Sequence, residues 1–306
     1  MGRHATAPGG QLVDLNPVDN VWLERRVIAY AHQGGAREAP SSTLAALRRA
    51  IDVGATGIEL DVHATADGEL VVCHDPTLDR TTNGSGAIAA QTIDEIRRLD
   101  NAYWFVEGED AQAGMEEASY TLRGRAPRDG DYRVATLSEV LEAFPGVVLN
   151  LDIKKTAPEV PAYEEKLADL LRAYGRGDDV IVASFNDAAT ATFSEHAPEF
   201  ATSAGVAATA ELLRAVRSGA ELPADVTRHA AVQLPPTFQE MTLVDEQLVE
   251  TAHAAGLAVH VWTIDDADEM QRLVELGVDG IMTDRPSVLV QVLDENGLAW
   301  NPRRTG

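Results

Sequence analysis

Apolar and polar positions along the 306-residue chain follow two alternating periods. Short β-rich runs recur at 27–31, 57–62, 147–153, 180–184, 201–205, 231–234, 258–263 and 279–283. Between them, near 43–53, 136–144, 160–174, 186–196, 208–218, 245–255, 266–276 and 286–295, apolar residues take the 3.6-residue spacing of half-buried helices. Eight strands, most followed by a helix, predict an α/β fold of the (β/α)8 kind, the TIM barrel. A doubly wound open sheet is the alternative. Its first turn usually carries GxGxxG, which the stretch from His32 to Pro40 lacks.

Two stretches fall outside the alternation. Residues 70–74 read as the second arm of a hairpin turned at Asp67-Gly68. Residues 100–134 are glycine-rich and mixed in charge, with no sustained period. They predict a long insertion on the loop side of the barrel, where lids and specificity loops occur. Trp104, Phe105, Tyr120 and Tyr132 argue against disorder there. The expected organisation is a lead-in over 1–26, a barrel domain over 27–296 and a tail over 297–306.

The strand ends carry the candidate chemistry. His32 closes VIAYAH, Glu59 and Asp61 close GIELD, and His74 closes LVVCH. Side chains two apart on a strand share a face, so Glu59 and Asp61 project together. Two buried like charges call for a cation, and carboxylates suit a hard divalent one. Two histidines supply an acid and a base near neutral pH. Together these groups suggest hydrolysis of a phosphoester. If the hairpin turn is centred on Asp67-Gly68, Asp61 lies opposite His74, and opposed residues share a face. His63 is expected outside the site, and His260 is expected to be a core histidine. Asp284 and Arg285 either orient the site or close the barrel.

The net charge of −24 argues against nucleic acid and anionic membrane surfaces as partners. A phosphate pocket in such a protein needs concentrated positive charge. Lys154 and Lys155, two of only three lysines, follow the run VVLNLDI. No apolar run reaches membrane-span length, so no membrane insertion is expected. The first residues lack a secretory h-region, and the single cysteine, Cys73, forms no disulfide within the chain. Both favour a cytoplasmic protein. Cys73 alternates with His74 and is expected to face away from the site and pack.

The motifs taken together resemble the glycerophosphodiester phosphodiesterases. The resemblance rests on His32-x-Gly34-Gly35 with Pro40-x-x-Thr43, on the run from Gly54 through IELDV to the HDxxLDRTT that begins at His74, and on LNLDIK, VWTID and GVDGIMTDRP. It spans about Val27 to Pro286. It implies a TIM barrel with an insertion between its second and third strands, and hydrolysis of glycerophosphodiesters to sn-glycerol 3-phosphate and an alcohol. By motif position it implies that His32 and His74 are the catalytic pair. It also implies that Glu59, Asp61 and Asp152 bind one divalent cation, Mg²⁺ or Ca²⁺ with Mn²⁺ as a further option. Lys154 would face the phosphate, and Trp262 would line the pocket. Which histidine is the acid is not set by sequence; His74 is assigned that role.

Three positions depart from the family pattern. Gln33 stands where arginine is usual and lacks its charge; Arg37 is a nearby substitute. Ser41-Ser42 replace Glu-Asn ahead of Thr43, a change that still allows a helix cap. Asp152 replaces glutamate and is one methylene shorter. The alternatives are a lysophospholipase D-like enzyme, which needs an apolar rim expected from the insertion, and a non-catalytic phosphoester-binding barrel. A metal-dependent sugar isomerase or aldolase on the same fold is a further option.

Overall fold

The computed structural model describes residues 20–298 in full, together with the backbone of two short antiparallel strands, Arg3–Thr6 and Leu12–Leu15. The remainder of the expected lead-in and tail lies outside the described residues. Eight parallel strands form the barrel: β1 (Ile28–His32), β2 (Gly57–Ala64), β3 (Val148–Ile153), β4 (Val180–Ala183), β5 (Ala201–Ala204), β6 (Ala231–Leu234), β7 (Ala258–Val261) and β8 (Gly280–Thr283). Each pairs with the next, and β8 returns to β1.

The longer helices are α1 (Leu44–Asp52), α2 (Leu137–Ala143), α3 (Glu164–Ala173), α4 (Asp187–His196), α5 (Val206–Ser218), α6 (Glu246–Ala254), α7 (Ala267–Leu276) and α8 (Pro286–Glu295). Several start where a side chain accepts a free first-turn N–H. Thr43 accepts from Ala46, Thr136 from Glu139, Asp245 from Leu248 and Asp266 from Glu269. The expected span 160–174 begins late, at Glu164, because Pro161 holds the residue before it out of the helical region.

Outward strand residues and the inner helix stripes make two large clusters around the barrel. Inside, Ile28, Tyr30, Val148, Ile181, Ala258 and Met282 pack around Trp22. Trp22 belongs to a single helical turn, Val21–Glu24. Asn20 caps that turn and donates to the carbonyls of Ala230 and Gly256, just ahead of β6 and β7. The turn therefore plugs the barrel end opposite the strand C-termini. Gly57 and Gly280 point inward; a Cβ there would come within 2.7 Å of the Tyr30 ring and 2.9 Å of the His260 ring.

The hairpin corrects the expected register. Val62 pairs with Val72, His63 with Val71 and Ala64 with Leu70. That register places Asp61 beside Cys73, whose N–H donates to the Asp61 carbonyl at 3.0 Å. The loop has three residues rather than two. Thr65 N–H donates to Glu69 O, and Gly68, at φ 79°, donates to Thr65 O. Such a loop ends on a left-handed glycine and shifts the pairing by one. Cys73 is buried as expected, among Val71, Leu78, Ile88 and Ile96.

The insertion forms its own small aromatic centre. The Arg123 guanidinium lies over Tyr103, Trp104 and Tyr120, at 4.2, 4.7 and 4.0 Å from their ring centroids. Asn101 ties the insertion to the β1–α1 loop by donating to Ser41 O.

His229 and His260 are buried and neutral. Burial pushes His260 down to about 3. Burial, aided by the Arg228 charge and opposed by Asp187, pushes His229 down to about 4. Their unfolded rings titrate near 6.5. Between that pH and the folded values the unfolded chain binds the extra protons, so stability is complete above about pH 6.5 and falls as pH drops. Each ring should contribute about 1.4 kcal/mol per pH unit. Urea unfolding at pH 7.0 and 5.5 checks this. His229→Gln should flatten the dependence by close to one proton; an unchanged slope would count against the account.

Candidate active site

Alternation and register build the site. Glu59, Asp61 and His63 share the inward face of β2. Asn150 and Asp152 do so on β3, with Lys154 just beyond its end. In the ladder His32 lies beside Glu59, Glu59 beside Asn150, and Asp61 beside Asp152. These groups stand at the strand C-termini, where loops form the mouth of a barrel.

The acids form a buried cluster around one lysine. Lys154 Nζ lies 2.8 Å from Asp61 Oδ1 and 3.1 Å from Asp152 Oδ2. Burial opposes the ammonium charge, but Asp61 and Asp152 raise its pKa above the usual lysine value. Burial, then Asp61, pushes the Glu59 carboxyl up to about 8. Burial raises Asp152 too, against the pull of Lys154. Asp61 Oδ2 and Asp152 Oδ1 are buried with no hydrogen-bond partner. Unsatisfied carboxylate oxygens facing a mouth fit a hard cation. Among the described residues, no three His, Cys, Asp or Glu side chains are spaced to hold a metal as they stand. Lys154 fills the gap between the two aspartates.

A carboxylate holds each histidine of the pair. His32 Nδ1 lies 2.7 Å from Asp284 Oδ1, and its Nε2 lies 3.7 Å from Glu59 Oε2. Burial disfavours a charged ring, yet Glu59 and Asp284 outweigh it and hold His32 up at about 9. The Gln33 side-chain amide lies 3.1 Å from His32 Nε2. His74 Nδ1 lies 2.8 Å from Asp75 Oδ1. Arg80 grips Asp75 through both carboxylate oxygens, at 2.7 and 3.1 Å. The His74 hydrogen bond, then Arg80, holds the Asp75 carboxyl well below the usual range against its burial. The two rings lie 6.0 Å apart, nearly perpendicular.

A cavity of about 480 Å³ opens over these groups. His32, His74, Glu59, Asp61, Asp152, Lys154 and Trp262 all line it. Gln33 and Arg37 do not. Gln33 is buried against His32, and Arg37 pairs with Asp110 at 3.5 Å and Asp265 at 3.4 Å. His63, expected outside the site, does not line the cavity; it is buried, and its Nε2 lies 3.5 Å from the His74 carbonyl. His260 is a core histidine, fully buried beside Tyr30, with Nε2 unpartnered. Asp284, left open between orienting the site and closing the barrel, lies 2.7 Å from His32 Nδ1.

Sequence reasoning missed Asp75, Arg80 and Phe185. The first two lie in HDxxLDR, where an acid directly after a histidine was a usable signal. The Phe185 ring lies 5.6 Å from that of Trp262, and nothing local in the sequence marks it.

A closed (β/α)8 barrel with carboxylate-held histidines and a lysine-bridged acid cluster at its mouth defines the class. The model of the glycerophosphoryl diester phosphodiesterase family matches residues 32–288, and the chain belongs to that family. It is 32% identical to a glycerophosphodiester phosphodiesterase of Caldanaerobacter subterraneus subsp. tengcongensis, over 89% of this chain and 100% of that protein. Identity to a Bacillus subtilis glycerophosphodiester phosphodiesterase is 30%, over 89% of this chain and 88% of that one. The crystal structure of the Agrobacterium tumefaciens glycerophosphodiester phosphodiesterase superposes with a TM-score of 0.65 at 27% identity, covering 86% of this chain and 98% of that one. No helix among the described residues is long and apolar enough to cross a membrane.

Proposed function

We propose that this chain hydrolyses glycerophosphodiesters to sn-glycerol 3-phosphate and an alcohol, with His32 and His74 as the proton-transfer pair. The observation that carries the reading is the pair itself, each ring held at Nδ1 by its own carboxylate, the two rings side by side at one cavity lined by Lys154. The names of the aligned relatives support the substrate class.

Asp284 and Asp75 fix ring orientation and leave Nε2 of each histidine to exchange the proton. One ring takes the proton of the attacking hydroxyl, from water or from the substrate's own glycerol, and the other donates to the leaving alkoxide. We assign His74 as the acid, because its ring is the more exposed, 40% against 15%, and so nearer a departing alcohol. His32 serves as the base once the Glu59 charge that favours its protonated ring is neutralised, as a cation held by Glu59 would do. Lys154 supplies the cation facing the phosphate. Glu59, Asp61 and Asp152 would hold a divalent cation, Mg²⁺, Ca²⁺ or Mn²⁺, whose chemistry is polarisation of phosphoryl oxygens. We also propose a cytoplasmic location and the barrel boundaries 27–296. The decisive experiment measures glycerol 3-phosphate release from a headgroup panel, before and after chelation and re-addition of each metal. Absence of release from every diester in all metal states would overturn the reading.

Gln33 gives a prediction of its own. Arg37 is held at the rim by two aspartates and does not line the cavity, so it does not stand in for the family arginine. Gln33→Arg adds a charged donor fork beside His32, in a protein of net charge −24. It should lower KM for glycerophosphodiesters by about threefold to tenfold, whereas Arg37→Ala should change KM little. A sharp KM rise in Arg37→Ala would reverse this assignment, and unchanged kinetics in both variants would place phosphate elsewhere.

A further inference from the structure

Pairing between β8 and β1 ends with Thr283 opposite Ala31, one residue short of Asp284 and His32. The ladder therefore does not set where the Asp284 carboxylate lies, although that carboxylate sits 2.7 Å from His32 Nδ1. A side chain takes over from the ladder. Asp265, in the loop between β7 and α7, accepts the Asp284 N–H at 2.8 Å and the Thr283 hydroxyl at 2.9 Å, both on Oδ1. The Thr283 oxygen in turn accepts the Arg285 N–H at 2.9 Å. One carboxylate oxygen thus ties down three consecutive residues where the chain leaves the barrel.

Asp265 is itself held in place. The N–H of its neighbour Ile264 donates to the Met282 carbonyl at 2.9 Å, and Arg285 Nη1 donates to the Asp265 carbonyl at 3.3 Å. Its other oxygen, Oδ2, faces Arg37 Nε at 3.4 Å, and the Arg37 N–H donates to the Asp284 carbonyl at 3.2 Å. Asp284 is therefore fixed at both its N–H and its C=O. The Arg37 side chain is 38% exposed, so its ion pair with Asp265 counts for less than the hydrogen bonds at Oδ1. The insertion, the expected source of an apolar rim, contributes no residue to the cavity. It meets this network at Arg37, whose carbonyl accepts the Gly108 N–H at 2.7 Å. Neither Asp265 nor Asp284 lines the cavity, so Asp265 can reach the chemistry through Asp284 but not by touching substrate.

We propose that Asp265 is a positioning residue for the reaction: acting through Asp284, it sets the orientation and tautomer of His32. This adds a residue to the proposed phosphodiesterase mechanism and rests on that reading. A ring tied through Nδ1 turns with the carboxylate that holds it. When the Asp284 backbone shifts, His32 Nε2, the atom that exchanges the proton, shifts with it. Misplacement by about 1 Å can cost about 10²-fold in rate. What Asp265 supplies is an acceptor at one point in space rather than a charge. Asparagine keeps a carbonyl oxygen at that point. Serine carries its oxygen one bond closer to the backbone and does not reach the Asp284 N–H.

The test measures hydrolysis of glycerophosphocholine by Asp265→Ser, Asp265→Asn, Asp284→Asn and the Asp265→Ser/Asp284→Asn double variant. Asp265→Ser should lower kcat by about tenfold to 10²-fold and change KM by less than about threefold. Asp265→Asn should restore kcat to within about threefold of the wild type. The double variant should be no slower than the slower of its two single variants, because both losses pass through one carboxylate. Losses that multiply in the double variant, a KM rise that matches the fall in kcat, or an asparagine variant as slow as the serine one would each overturn the proposal. If Asp265→Ser does not fold, Thr283→Val takes its place. It removes one of the two donors to Oδ1, and an unchanged kcat there would count against Asp265. The nitrogen and proton shifts of the His32 ring, measured by NMR in histidine-labelled protein, give a readout independent of turnover. They should move in Asp265→Ser and return in Asp265→Asn; shifts that stay put in the serine variant would overturn the proposal. If the wild type hydrolyses no diester, the phosphodiesterase reading fails, and the ring shifts alone decide whether Asp265 positions His32.

Discussion

His32→Ala and His74→Ala are each expected to lower kcat on a natural diester by about 10²–10⁴-fold, the usual worth of a positioned proton-transfer group. The two losses should differ in character. A nitrophenyl ester leaves as a weak base and needs little protonation, so the variant lacking the acid should recover much of its rate on that substrate. The variant lacking the base should not. With His74 as the acid, rescue is expected in His74→Ala. Rescue confined to His32→Ala would exchange the roles, and near-full activity of both variants on a natural diester would place the chemistry elsewhere. The carboxylates behind the rings give a graded version of the same test. Asp75→Asn and Asp284→Asn keep shape but weaken the hold on each ring's tautomer and orientation. Each should lower kcat more than it raises KM. Thermal unfolding separates these effects from damage to the barrel, most importantly at His32, which is half-buried between Asp284 and Glu59.

The barrel was legible because its strands are apolar on both faces and its helices on one, so two periods alternate along the chain. The shared face of Glu59 and Asp61 followed from their spacing and its inward placement from the apolar Ile58 and Val62 beside them, whereas the Asp152–Lys154 pair came from the resemblance, with the same spacing in support. What failed was local backbone geometry. A left-handed Gly68 closes a three-residue loop as readily as a two-residue one, and the one-residue shift moved Cys73, not His74, beside Asp61. His74 reaches the cavity from beyond the strand end, where the Asp75–Arg80 ion pair holds it. The apolar side of the cavity was illegible for another reason. Phe185, Val206, Phe238 and Met241, which line the same cavity, come from the loop after β4, the start of α5 and the small hairpin after β6, and only the fold of the barrel brings them to one rim.

The acid cluster yields the second large expectation, and two substitutions should move it in opposite directions. Three buried carboxylates with a single lysine between them leave Asp61 Oδ2 and Asp152 Oδ1 unpartnered. Unpaired buried charge is costly, so a divalent cation added to chelator-treated protein should stabilise it. At a hundredfold excess over Kd the linkage is worth about 2.7 kcal/mol, a rise of a few degrees in Tm. Asp61→Asn should abolish that rise together with metal-dependent turnover, while the barrel still unfolds cooperatively. Lys154→Gln removes the ammonium that occupies the same oxygens. It should strengthen Mn²⁺ binding by about tenfold, measured by calorimetry, through loss of a like-charge competitor. The same substitution should lower kcat/KM by at least about tenfold, through loss of the cation facing phosphate. Tighter metal binding with slower turnover is not expected of a lysine that only stabilises the fold. A Tm rise that persists in Asp61→Asn would remove Asp61 from the cation site. Weaker Mn²⁺ binding in Lys154→Gln would show that the lysine helps to build that site rather than competing for it.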